Sequence, residues 1–144
     1  MNLHHFSLWG IRRSLALVVL VAATSNGYAG VAAQVDSFSD FGVSLKFGNF
    51  IAPKGTYSLT ADGGDTATLT LIEVKLQKLV DGAYQDYKAF QKCNADSGLW
   101  SAAQWFNLPA GDYRVFVRMH WDQVVGGMEM KDKTLDNTQT ISFK

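Results

Sequence analysis

One cysteine, three histidines and two prolines are all that 144 residues supply of these types, and each scarcity excludes something. A lone Cys93 cannot close an intrachain disulfide, so whatever stabilises the chain is not a disulfide framework. Two of the histidines, His4 and His5, lie in the first five residues, which leaves His120 as the only one beyond the N-terminal segment. No Cys or His pair stands at zinc-ligand spacing, and no Gly-x-Ser-x-Gly nucleophile motif is present. Charge is balanced, with thirteen Lys and Arg against thirteen Asp and Glu. A helical period is missing throughout, as is any alternation of strand and helix.

An apolar run is present near the start, Leu15 to Ala23, preceded by Arg12 and Arg13 and followed by small residues. Its length is that of a signal-peptide core and too short for a bilayer span. Residues 1–29 therefore read as a signal peptide. Gly27-Tyr28-Ala29 is the expected cleavage site and Val31-Ala32-Ala33 the alternative, which makes residues 30–144 one exported domain, secreted or periplasmic. No cysteine sits near the cleavage site to carry a lipid. Thirteen Lys and Arg fall to eleven once Arg12 and Arg13 leave, against thirteen Asp and Glu, a net charge near −2. That balance argues against nucleic acid or an anionic membrane surface as main partner. No second apolar run is long enough to span a membrane after signal removal.

Beyond the leader the pattern has period two. Tyr113, Val115, Val117, Met119 and Trp121 share one parity, and Arg114, Phe116, Arg118 and His120 the other, so one face of this strand is dry. Pro109 and Gly111 just upstream reverse the chain. Leu108-Pro109-Ala110-Gly111-Asp112-Tyr113 resembles the Leu-Pro-x-Gly-x-Tyr corner of bacterial secreted immunoglobulin-like and pre-peptidase C-terminal-type β-sandwich domains. The resemblance implies a sandwich in which the Tyr113 ring is buried and its hydroxyl meets a nearby backbone group. It implies no functional residue, and no Cys-Trp-Cys framework accompanies it.

The remaining strands are read from alternation and turn residues. Residues 31–42 lead into the fold, with Phe38 and Phe41 against an edge. Val43, Leu45 and Phe47 alternate with Ser44 and Lys46 in a first strand reaching about Phe50, and Tyr57, Leu59 and Ala61 mark a second. From Thr66 to Val80 the apolar parity changes once, which requires a bulge or bend near Leu71-Ile72. Asp81-Gly82 and Gly126-Gly127 predict tight hairpins. A polar loop follows from Gln91 to Gly98 around Cys93. Leu99 to Leu108 is extended, with Trp100, Ala102, Phe106 and Leu108 on one side and Trp105 and Asn107 on the other. A polar turn through Asp136-Asn137 precedes a last strand, where Ile141 and Phe143 point inward. About eight short strands of this kind make a single antiparallel β-sandwich, all-β, with a small β-barrel as the alternative.

Chemistry is thinly supplied. His120 lies on a polar parity that solvent explains, and Asp62-Gly63-Gly64-Asp65 reads as a β-turn more readily than a calcium loop. No catalytic residue, metal site or cofactor is expected. The binding candidates are Trp105, Arg114, Phe116, Arg118 and His120, an outward aromatic and cationic set able to form a platform. The expected activity is that of an exported, non-enzymatic binding or assembly module, with a protein partner favoured over a glycan. The alternatives are a carbohydrate-binding module and, behind it, a small secreted hydrolase or toxin combining Cys93 with His120. Cys93 also leaves a disulfide-linked homodimer open.

Overall fold

Alternation that dries one face of each strand needs a second layer to cover that face, and the chain supplies it. A computed structural model describes residues 30–144; the leader reading of residues 1–29 lies outside them. Eleven strands form three antiparallel sheets. The strands are β1 (Val31–Ser37), β2 (Asp40–Ser44), β3 (Gly48–Ala52), β4 (Lys54–Ala61), β5 (Thr66–Val80), β6 (Ala83–Lys92), β7 (Asn94–Asp96), β8 (Leu99–Ser101), β9 (Trp105–Leu108), β10 (Gly111–Val125) and β11 (Met128–Phe143). The main sheet runs β11-β10-β5-β6, the second β1-β4-β8-β7, and a small third one β2-β3-β9. No barrel closes among the described residues, and the architecture is an all-β sandwich.

β10 is the centre of the main sheet. Val115, Val117 and Met119 stand beside Leu76, Val74 and Ile72 of β5, and all six are buried. The phase change in β5 is resolved by a bulge: His120 faces Leu71 but Trp121 faces Leu69, so Thr70 is the extra residue. Both Leu69 and Ile72 thereby reach the core side. Asp81-Gly82 and Gly126-Gly127 are two-residue hairpin turns with positive φ at both positions, and Ser97-Gly98 makes a third that the sequence reading missed. At the corner, the Tyr113 ring is fully buried and its hydroxyl donates to the Pro109 carbonyl at 2.7 Å. Burial, with the neighbouring Tyr87, pushes that hydroxyl's pKa up to about 12.

Three expectations are corrected. Residues 31–37 are a true strand rather than a leader: Val31, Ala33 and Val35 are buried and β1 pairs with β4 along its whole length. No turn interrupts β11 at Asp136-Asn137; it runs unbroken for sixteen residues, with its irregularity at Asp132, where φ is positive. The segment around Cys93 is not an open polar loop either. Cys93 is the junction between β6 and β7, with its N–H bonded to the Ile72 carbonyl and its half-buried side chain packed against the core.

Sheets one and two are joined along one side by amides. Asn137 of β11 donates to the Val35 carbonyl of β1 at 2.8 Å, and the Gln139 side-chain oxygen accepts the Ser39 N–H at 2.7 Å. Both side chains are buried, so each satisfies a backbone group that has no ladder partner and covers the free edge of β1. The opposite margin of the main sheet is β6, whose pairing with β5 shifts register twice. Those bulges and its Lys88 and Lys92 make it a poor template for another strand.

Candidate functional site

Strand parity alone brings Arg114, Phe116, Arg118 and His120 together on the outer face of the main sheet, as expected. Their neighbours on β5, β6 and β11 then decide what they can do. The Arg114 guanidinium lies 4.3 Å from the Tyr84 ring centre, and its Nε donates to Gln77. Phe116 meets Phe90 edge-on at 5.9 Å, with the Lys75 ammonium 4.7 Å from one ring and 5.2 Å from the other. Arg118 grips Asp136 with two hydrogen bonds, at 2.7 and 2.9 Å, which raises its pKa further. His120 is held at both ring nitrogens, by Glu73 at 3.2 Å and Asp132 at 2.8 Å. Hydrogen bonds from Gln77 and Lys75 keep the Asp86 carboxyl below the usual carboxylate range. Arg114, Arg118, His120 and Lys75 on this face thus each already have a carboxylate, an amide or a ring, and the contacts run across all four strands.

Trp105 does not join them. It is only 9% exposed and packs in the core, while Phe106 beside it is open to solvent. The inversion has a local cause: Asn107 adopts φ of 53°, and β9 shifts register against β3, so the alternation that assigned Trp105 outward breaks inside the strand. Trp100 and Trp121 are buried too, so no described tryptophan offers a ring for stacking.

Both ring nitrogens of His120 are taken by Glu73 and Asp132, and no hydrogen bond joins that ring to Cys93. Burial pushes the Cys93 thiol up to about 12, and the nearby Glu73 carboxylate adds to the effect, the opposite of activation. At pH 8 its thiolate fraction falls about a thousandfold below that of a thiol at the ordinary 9.0. Alkylation by iodoacetamide is therefore expected to be slow in the folded protein and rapid in urea. Equal rates in the two states would show an open thiol.

The sequence reading missed two surfaces. Residues Val43, Leu45 and Phe47 belong to a hairpin tip rather than to one strand reaching about Phe50: β2 and β3 pair from Asp40↔Ala52 to Ser44↔Gly48 and turn between. Leu45 is 101% exposed and Val43 77%, and Phe47 stacks on Phe106 at 4.8 Å with Lys46 beside it. The signal available was Gly48, whose positive φ lets the chain reverse directly after a Leu-Lys-Phe run. At the base of this hairpin Lys54 pairs with Asp40 and also borders an open groove of about 710 Å³. Phe38, Leu99 and Trp100 supply its apolar wall, and Asn94, Asp96 and Ser101 its polar rim.

Gly55 permits that groove's floor. The Trp100 indole lies across the β4 backbone there and donates to the Asp36 carbonyl at 2.8 Å. Among the described residues no set of three or more His, Cys, Asp or Glu side chains converges as metal ligands. The Asp62 to Asp65 segment is a turn, with Asp65 N–H bonded to the Asp62 carbonyl at 3.0 Å. No helix of the described residues is long and apolar enough to cross a membrane. Comparison of the chain with protein-family models, with curated proteins and with solved structures returns no match.

Proposed function

We propose that this domain is an exported, non-enzymatic binding module that engages a protein partner through the β2–β3 hairpin tip. The observation that carries the reading is the exposure of Leu45 and Val43, beside the Phe47–Phe106 stack, at the tip of the paired strands β2 and β3. Large apolar side chains held fully in water are unfavourable unless something covers them in use. The shape favours a protein: a convex apolar knob fits a pocket in a partner, whereas a sugar ring needs a broad stacking surface with hydrogen-bonding groups around it. The outer face of the main sheet supports the choice, because its cations and rings are engaged with one another and a ligand there must displace them. The raised thiol of Cys93 and the doubly held His120 support the absence of catalysis.

The test is partner capture from the exported fraction with three proteins: the native domain, Leu45→Asp and Arg114→Ala. A partner held by the native domain and by Arg114→Ala, and lost at least tenfold by Leu45→Asp, is the expected result. The melting temperature of Leu45→Asp should stay near native, since an exposed turn position contributes within about 0.5 kcal/mol. Equal capture by Leu45→Asp would remove the tip from the account. The groove beside Phe38 and Leu99 favours a second reading, a small carbohydrate ligand with its apolar face on Phe38 and its hydroxyls on Asn94, Asp96 and Ser101. Binding of soluble oligosaccharides that survives Leu45→Asp but not Phe38→Ala would select it.

A further inference from the structure

The turn at Asp62 to Asp65 has a second role beyond closing β4 onto β5, and it concerns the start of the domain. Gly30 precedes β1 with φ of +95°, and its carbonyl accepts the Asp62 N–H at 2.8 Å. The place where any other residue at position 30 would carry its Cβ is occupied by the Asp65 carboxylate. Glycine suits that backbone conformation, and its bare Cα leaves the room in which the Asp65 carboxylate lies. The other oxygen of the same carboxylate accepts the Gly126 N–H at 3.0 Å, which fixes Asp65 from the opposite hairpin. Standard bond lengths put the Gly30 nitrogen within roughly 4 Å of the Asp65 oxygen that lies against its Cα.

We infer that Asp65 is the receptor for a new α-amino group, created when the chain is cut between Ala29 and Gly30. This rests on the reading of residues 1–29 as a leader, but adds to it a consequence of the cut. Hydrolysis consumes one water: the Ala29–Gly30 amide bond breaks, Ala29 leaves with a carboxylate, and Gly30 keeps an amine that takes up a proton. Before the cut that nitrogen is a neutral amide; afterwards it is an ammonium beside a carboxylate held ready for it. Cleavage at the alternative site after Ala33 would instead remove three of the seven residues of β1, including buried Val31 and Ala33, and leave Leu59 and Ala61 of β4 without their partners. The geometry points to one of the two cleavage sites and ties processing to the locking of the first strand.

The experiment uses the exported protein itself, in native and Asp65→Asn forms. Intact mass identifies the first residue, and a mass beginning at Gly30 is expected. The α-amine of each form is then selectively carbamylated near pH 7, where it reacts ahead of the lysines, and thermal melting is compared before and after. The native protein is expected to lose about 2–4 °C on carbamylation and Asp65→Asn less than 1 °C. Asparagine keeps an oxygen for Gly126, so the variant should still fold. A mass beginning elsewhere, or retaining residues 1–29, would overturn the cleavage assignment. The same loss in both forms, or in neither, would overturn the pairing with Asp65 while leaving the leader reading intact.

Discussion

Replacing Gly55 with alanine is expected to lower the melting temperature by on the order of 10 °C, a stability loss of about 3 kcal/mol. The reason is spatial. Gly55 sits in β4 opposite both Ser37 of β1 and Trp100 of β8, between the two strands that flank it. A Cβ there would lie 2.6 Å from the Trp100 Nε1 and closer still to the Asp36 carbonyl oxygen, the two atoms joined by the indole hydrogen bond. Neither is the free end of a flexible chain: one belongs to backbone and the other to a buried ring. The methyl must therefore push β1 off β4 or evict Trp100, and either route loses that hydrogen bond as well as packing. In a strand without this crowding, alanine for glycine would be neutral or mildly favourable. A melting temperature within about 2 °C of native would mean that the indole does not lie across β4.

The second large effect separates two tryptophan-rich interpretations of one strand. Trp105→Ala is expected to cost about 3–5 kcal/mol, the usual range for deleting a buried aromatic, whereas Phe116→Ala should cost about 1 kcal/mol or less. Trp105 faces Ile51 across β3 and β9 inside the core, while Phe116 lies between Lys75, Arg118 and Phe90 on a solvated sheet face. Trp105→Phe should recover most of the loss, because it restores apolar volume in the same place. Urea midpoints of the three variants measure this directly. A Trp105→Ala protein as stable as Phe116→Ala would return Trp105 to the surface and revive the aromatic platform.

The elements the sequence announced are those in which one local rule speaks without competition. β10 was legible because Tyr113, Val115, Val117, Met119 and Trp121 hold one buried parity without a break, and Asp81-Gly82 because a two-residue turn needs φ > 0 at both positions. The bulge in β5 was legible as a parity change, although it falls at Thr70, one residue before the expected place. The failures share one physical cause: alternation states that a strand has two faces but not which face is covered. Val43, Leu45 and Phe47 alternate as well as any core strand, yet no second layer reaches them. Val31, Ala33 and Val35 were hidden by small side chains that also suit a cleavage site. At Trp105 a single left-handed residue, Asn107, broke the alternation within four residues. For the candidate site, parity grouped Arg114, Phe116, Arg118 and His120 correctly. It carried no information about Gln77, Lys75, Asp136 and Glu73, which arrive from other strands and determine how far those groups are already engaged.

The amide clasp between β1 and β11 has a consequence in time. Asn137 reaches Val35 across 102 positions of sequence and Gln139 reaches Ser39 across 100. A chain delivered from its N-terminus can pair β1 with β4 early, but the edge of β1 stays open until Asn137 and Gln139 of β11 have emerged. Contacts of such span are slow to form, because a long loop must be closed before any of them is gained. Until then the Val35 carbonyl and the Ser39 N–H must take their hydrogen bonds from water. β11 is thus the latch that completes the sandwich around the edge of β1.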